Sequence, residues 1–221
     1  MDANMTALKV AEYLLHIEAV RLRPENPFTW ASGLRSPIYC DNRKTLSYPD
    51  VRSYLRNAFA ERIRERYPQA ECIAGVATGG IAIGALIAEQ LNLPFIYVRS
   101  EAKKHGLGNQ VEGVLHPDTK VVVIEDLIST GKSSLQAVEA LRDADADVLG
   151  LIAIFSYGFS QAAEQFAQAD CPFETLSGYD YLLTQATESG KISEAQRLEL
   201  ADWKSNPSHW SERFLQKQSH H

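Results

Sequence analysis

Between Val121 and Ser134 the chain reads VVVIEDLISTGKSS, and few folds accommodate residues in that order. Four consecutive apolar residues, three of them valine, suit a strand covered on both faces, as in a parallel sheet sandwiched between helices. The strand ends in two adjacent carboxylates, Glu125 and Asp126, and a loop of hydroxyl residues and glycine then opens a helix. In open α/β sheets, ligands bind outside the carboxyl ends of the strands. A helix N-terminus offers an anion free N–H groups and the positive end of the dipole. Ser129, Thr130 and Ser133 add hydroxyl donors, and Gly131 lets the backbone approach closely. This combination points to a sugar phosphate rather than to a solvated acidic pair. Gly131-Lys132-Ser133 also has the form of a P-loop tail, but the first glycine of that motif falls at Asp126, so the Walker reading fails.

The flanking sequence supports a sheet of this type. Val51, Leu55, Phe59 and Ile63 mark one face of a helix whose other face carries Arg52, Arg56, Arg64 and Arg66. Strands follow at Cys72–Val76, Phe95–Val98, Val121–Glu125 and Val148–Phe155, separated by helices over Ile81–Leu91 and about Ser133–Arg142. That alternation predicts a parallel sheet flanked by helices. Residues 6–20 read as a first helix from Ala7, Ala11, Leu14 and Leu15. Arg99–Pro117 is long and polar with three glycines, which fits either a functional lid or a plain surface connection.

Charge and cysteine usage narrow the classes of function. A net charge of −6 gives no sign of the basic surface that nucleic-acid binding through phosphates requires. No apolar run reaches the roughly 18 residues needed to span a bilayer, and the first residues lack the basic and apolar regions of a secretory signal. Cys40, Cys72 and Cys171 are odd in number and widely spaced, which suits a reducing, cytoplasmic compartment. The expected partners are therefore small molecules, with neither nucleic acid nor membrane.

The run from Val121 closely resembles the phosphoribosyl pyrophosphate signature of the type I phosphoribosyltransferases: four apolar residues, two acidic ones, then a short Ser/Thr/Gly loop. The resemblance implies an α/β, type I phosphoribosyltransferase fold, with a central parallel sheet flanked by helices and a small N-terminal hood. One domain over residues 1–221 is expected, with the hood to about 45, the core over about 46–177 and C-terminal helices over about 178–218. It further implies that Ser129, Thr130, Gly131, Lys132 and Ser133 hold the 5′-phosphate, with Leu127 and Ile128 in the same donor site. Glu125 and Asp126 then face the ribose hydroxyls near a Mg²⁺ ion, bound directly or through water. Thr78 and Gly79 fit the family's pyrophosphate loop, where small residues let backbone N–H groups approach the leaving group.

Two further stretches are similar to orotate phosphoribosyltransferases in particular. Phe28-Thr29-Trp30-Ala31-Ser32-Gly33-Leu34-Arg35-Ser36-Pro37-Ile38-Tyr39 has the form of that family's hood, F-T-x-x-S-G-x-x-S-P-x-Y. Arg99-Ser100-Glu101-Ala102-Lys103-Lys104-His105-Gly106 matches its catalytic loop. The resemblance implies transfer of the phosphoribosyl group from phosphoribosyl pyrophosphate to orotate. Arg99, Lys103 and His105 would stabilise departing pyrophosphate on loop closure. The loop residues act in trans in the family, which implies a homodimer. Tyr39, Ser129 and Arg43 are the candidate orotate contacts. The rival readings are a transferase for another base, or a regulator that only senses the donor.

The match departs from the enterobacterial form of the family. That form carries lysines where Ala31, Gly79 and Ser100 stand, and an arginine near the orotate carboxylate where the aligned residue is Tyr157. Charge-assisted hydrogen bonds contribute roughly 1.5–3 kcal/mol each, so either Mg²⁺ and backbone amides suffice or replacements come from elsewhere. Arg43 is the expected replacement at the orotate carboxylate, and Lys132 is a spare cation near the 5′-phosphate.

Overall fold

A computed structural model describes residues 2–30, 32–100 and 110–218. The chain begins with helix α1 (Ala3–His16), capped by the Asp2 side chain on the Asn4 N–H, and continues into short strands β1 (Val20–Leu22), β2 (Phe28–Thr29), β3 (Arg35–Ser36) and β4 (Ile38–Cys40). A 3₁₀ segment (Asn42–Ser47) leads into α2 (Pro49–Arg66). Next come β5 (Cys72–Val76), α3 (Gly79–Leu91), β6 (Phe95–Val98) and the two-residue β7 (Val111–Glu112). Then follow β8 (Lys120–Ile128), α4 (Lys132–Asp143), β9 (Asp147–Ser156), α5 (Ser160–Gln168) and β10 (Phe173–Gly178). The last three helices are α6 (Tyr179–Glu188), α7 (Glu194–Ser205) and α8 (Pro207–Gln218).

The central sheet has the strand order β10-β9-β8-β5-β6-β7. Its pairs are parallel except β6 with β7. The expectation of a parallel sheet therefore holds for five strands and fails at one edge. There Val111 pairs back onto Val98 in antiparallel register, as a chain reversal permits without the crossover that a parallel partner needs. Val121 to Ile124 are fully buried, as a strand covered on both faces requires. The first helix stops short of the expected residue 20, because Glu18 adopts φ 55° and turns the chain into β1.

The order places the site. From β5 the chain runs outward to β6, then crosses back to β8 and continues the other way to β9 and β10. Connections leaving β5 and β8 diverge to opposite sides, opening a crevice at the carboxyl ends of these neighbours. The hood is built from two antiparallel pairs, β1 with β4 and β2 with β3. The C-terminal helices support it: Ser211 Oγ in α8 accepts the Arg35 N–H at 2.9 Å.

Candidate active site

The turn after β5 and the loop after β8 face each other across that crevice. Gly79 begins α3 directly against the Asp126 carboxyl; a Cβ there would lie 2.5 Å from Oδ1 and closer still to Cγ and Oδ2. Gly80 packs as tightly onto the Ile124 carbonyl, so the turn rests on backbone and has no room to retreat. The space a side chain at position 79 would need is occupied by Asp126, which accounts for the glycine. Thr78 is exposed beside it, following a cis Ala77–Thr78 peptide.

The two acidic residues have different environments. Glu125 is buried, with Oε1 accepting the Asp126 N–H and Oε2 accepting the Ser134 hydroxyl, each at 2.9 Å. Burial, reinforced by the neighbouring Asp126 carboxyl, pushes its pKa well above the usual carboxylate range. Asp126 is half-buried and turned to the crevice, so it is the member of the pair able to meet a ligand. Its backbone carbonyl accepts from Asn42 Nδ2 at 2.6 Å, and Asn42 Oδ1 in turn accepts from the Cys40 thiol at 3.2 Å. One buried asparagine thus ties the hood to the acidic pair.

Beyond Asp126, Leu127 and Ile128 finish β8, and Ser129 and Thr130 lead to Gly131 at φ 87°. Helix α4 starts there without a side-chain cap, leaving its first N–H groups open to an anion. Ser133 is exposed at this end. Lys132, also exposed, lines a groove of about 460 Å³ between α4 and α5 with Gln136, Glu139 and Arg142.

The hood covers a cavity of about 410 Å³ lined by Thr29, Trp30, Tyr39, Cys40, Ser129 and Tyr157, among others. Its described walls carry no formally charged side chain. The structure thus brings together two of the three expected base contacts, Ser129 and Tyr39. Arg43 stands outside, with Nε on Asp41 Oδ1 at 2.7 Å and much of its side chain in solvent. Sequence reasoning passed over Asn42 and treated Tyr157 only as a missing cation. Tyr157 follows directly on β9, and the register Ile128↔Ser156 carries it alongside Ser129. Its place at a strand's carboxyl end was the available signal.

Tyr157 is 3% exposed and enclosed by aromatic rings: Phe159 at 5.5 Å, Trp30 at 5.6 Å, Trp203 at 5.8 Å and Phe155 at 5.9 Å between centroids. Burial pushes its hydroxyl well above the usual phenol range, so it is a neutral donor. Burial likewise pushes the Cys40 thiol up, with Asp126 and Asp41 adding to the effect, which argues against a nucleophilic thiolate.

Arg99 lies at the end of β6, where its N–H donates to the Gln110 carbonyl at 2.9 Å and its guanidinium pairs with Glu112 at 3.5 Å. Lys103 and His105 fall outside the described residues. Among the described residues, no three His, Cys, Asp or Glu side chains converge as a metal cage. The residues present nevertheless fit Mg²⁺, which is commonly held by one or two carboxylates together with substrate oxygens. Among the described residues, no helix is long and apolar enough to cross a membrane.

Comparison with known proteins agrees with this geometry. A family model described as a phosphoribosyl transferase domain matches residues 48–176. Orotate phosphoribosyltransferase of Bacteroides thetaiotaomicron is 54% identical over 200 residues, covering 90% of this chain and 94% of the relative. Among solved structures, orotate phosphoribosyltransferase from Aeropyrum pernix superposes with a TM-score of 0.72 at 30% identity, over 83% of this chain and 99% of that one. Leishmania donovani UMP synthase gives a TM-score of 0.75 at 26% identity over 90% of this chain, which spans only 42% of that longer protein. The chain belongs to the phosphoribosyl transferase domain family and, within it, to the orotate phosphoribosyltransferases.

Proposed function

We propose that the protein catalyses Mg²⁺-dependent transfer of the phosphoribosyl group from phosphoribosyl pyrophosphate to orotate, giving orotidine 5′-monophosphate and pyrophosphate in pyrimidine biosynthesis. The observation that carries this reading is the crevice itself. The Asp126 carboxyl abuts Gly79 on one side, and the uncapped start of α4 lies just beyond it in the same loop. A carboxylate for ribose hydroxyls and bare N–H groups for a phosphate thereby share the carboxyl end of one strand, beside a neutral cavity for a planar base.

In this reading Ser129 to Ser133 bind the 5′-phosphate, and Lys132 adds a cation at that helix start. Asp126 orients the ribose, while Glu125 braces it from beneath through the Asp126 N–H. Thr78 and Gly79 present backbone to the pyrophosphate. Asp126 is the residue suited to holding Mg²⁺ with substrate oxygens; when bound, the ion neutralises charge on the leaving group. Tyr39 and Ser129 line the base site. Orotate brings an activated ring nitrogen, so positioning and electrostatics carry the reaction without a strong general base. Arg99, with Lys103 and His105, completes the site over the departing pyrophosphate and excludes water. In the family's manner, Lys103 and His105 come from the second copy of a homodimer, in the cytoplasm.

The test is loss of orotate absorbance on mixing protein, phosphoribosyl pyrophosphate and Mg²⁺, with adenine, hypoxanthine and uracil in parallel and chelator as control. Turnover of orotate alone, abolished by chelation, is expected. Reaction with a different base would reassign the cavity but leave the phosphate loop standing. Donor binding without any turnover would make the chain a sensor.

A further inference from the structure

Asp126, the residue assigned to the ribose, is held in place by side chains. Among the described residues it has no register partner: the ladder to β5 ends at Ile124, and that to β9 steps from Glu125 to Leu127. Its N–H donates to Glu125 Oε1 at 2.9 Å, and its carbonyl accepts from Asn42 Nδ2 at 2.6 Å. Asn42 is 1% exposed and is itself fixed from two directions. Its carbonyl accepts the Thr45 hydroxyl at 2.6 Å, and its Oδ1 accepts the Cys40 thiol at 3.2 Å. The thiol sets the orientation of the amide, turning the NH₂ group towards β8. Cys40 lines the base cavity, and the 3₁₀ segment carrying Asn42 packs against both α3 and β8, the elements on either side of the crevice. A buried polar network with every member satisfied is rigid. The Asp126 backbone that Asn42 grips cannot shift without carrying the carboxyl along.

We infer that Asn42 is a positioning residue for the donor: through the Asp126 carbonyl it fixes where the carboxylate meets the ribose hydroxyls. This rests on the donor half of the reading above and not on the identity of the acceptor base. An amide suits the task, because it presents a donor to the carbonyl and an acceptor to the thiol at once. A lysine or arginine reaching the same carbonyl would place a cation beside Asp126 and compete for its carboxylate. A plain tie between hood and sheet needs no particular partner on β8. This one spans 84 positions of sequence to end on the residue that carries the carboxylate of the site.

The experiment titrates the protein by calorimetry with ribose 5-phosphate and with inorganic phosphate. Both occupy the loop from Ser129 to Ser133, but only the sugar reaches Asp126. In Asn42→Ala, ribose 5-phosphate should bind roughly tenfold more weakly, much of one hydrogen bond to a charged group, while phosphate stays within about twofold. With Asp126→Ala already in place, adding Asn42→Ala should cost the sugar phosphate nothing further, because both changes remove one interaction. Equal weakening of both ligands marks a merely structural residue and overturns the proposal, as do an unaltered sugar affinity or additive losses in the double variant. A second pair of variants covers failure of Asn42→Ala to fold. Thr45→Val is isosteric and removes the anchor on the Asn42 carbonyl, so it should reproduce the sugar-selective loss in milder form, and Thr45→Ser should restore binding. Wild-type titrations from Thr45→Val would in that event overturn the role. Neither titration reads orotate turnover, so a wrong acceptor leaves this result standing.

Discussion

Replacing Gly79 by alanine probes the crevice with a single methyl group. Gly79 does not have a positive φ, so alanine brings no backbone penalty. Its Cβ would stand 2.5 Å from Asp126 Oδ1, about 1 Å short of ordinary van der Waals separation. Either the turn or the Asp126 side chain must yield. The turn is held backbone to backbone: Gly80 abuts the Ile124 carbonyl, and a Cβ on Gly75 would stand 2.5 Å from the Gly80 carbonyl oxygen. Asp126 is half-buried with a mobile end, so it is the group that rotates. An off-rotamer side chain costs about 0.5–1.5 kcal/mol, so the variant folds with a slightly lowered Tm. If the displaced carboxylate no longer meets the ribose hydroxyls, about 1.5–3 kcal/mol of binding to the transition state goes with it. That corresponds to a fall of roughly 10- to 150-fold in kcat/KM for phosphoribosyl pyrophosphate. The assay is orotate consumption against donor concentration, with a thermal melt alongside. Adding Asp126→Asn should bring little further loss, since both changes remove one interaction. Wild-type kcat/KM in folded Gly79→Ala protein, or full additivity in the double variant, would show that position 79 does not act through the Asp126 carboxylate.

Other perturbations address the remaining parts. Arg43→Ala should change orotate KM less than about threefold, because its guanidinium is spent on Asp41 at 2.7 Å outside the cavity; a selective rise of tenfold or more would return Arg43 to the base site. Mixing Lys103→Ala with Asp126→Asn protein should regain up to a quarter of wild-type activity through mixed dimers carrying one intact site, whereas additive residual activities would exclude action in trans. Burial raises the Glu174 pKa, but hydrogen bonds from Arg62 at 2.7 Å and Arg66 at 3.0 Å outweigh it, so the net shift is downward. A lowered folded-state pKa means stability that is present above about pH 4–5 and lost as pH falls through the folded value. Glu174→Gln should therefore cost about 1–2 kcal/mol at neutral pH, read from denaturant melts, and flatten the acid limb; an unchanged acid limb would assign that limb to other groups.

How much was legible varied with how local each feature is. Strand β8, its loop and the start of α4 were readable because a doubly buried strand is continuously apolar and the phosphate loop follows it directly. Strand β10, Phe-Glu-Thr-Leu-Ser-Gly, went unread because an edge strand need not be apolar throughout, and Glu174 there serves the arginines of α2. Two-residue β7 exists only through its pairing with β6 and has no period to detect. Helix α1 was overdrawn because periodicity does not register a single left-handed residue such as Glu18. In the site, Ser129 and Tyr39 lay inside recognisable runs. Tyr157 reaches the cavity only through the β8–β9 register, and Asn42 acts through a carbonyl far away in sequence. Such partners are set by topology, which a linear pattern does not encode.

Trp203 in α7 touches Trp30, Tyr157, Phe159 and Tyr179, so a residue close to the end of the chain braces the base cavity. The loops assigned to the donor are complete by Ser134. Synthesis on the ribosome therefore delivers the pieces of the phosphate crevice well before the brace behind the base. A chain arrested between the two would carry the means to grip a sugar phosphate but an unsupported seat for its acceptor.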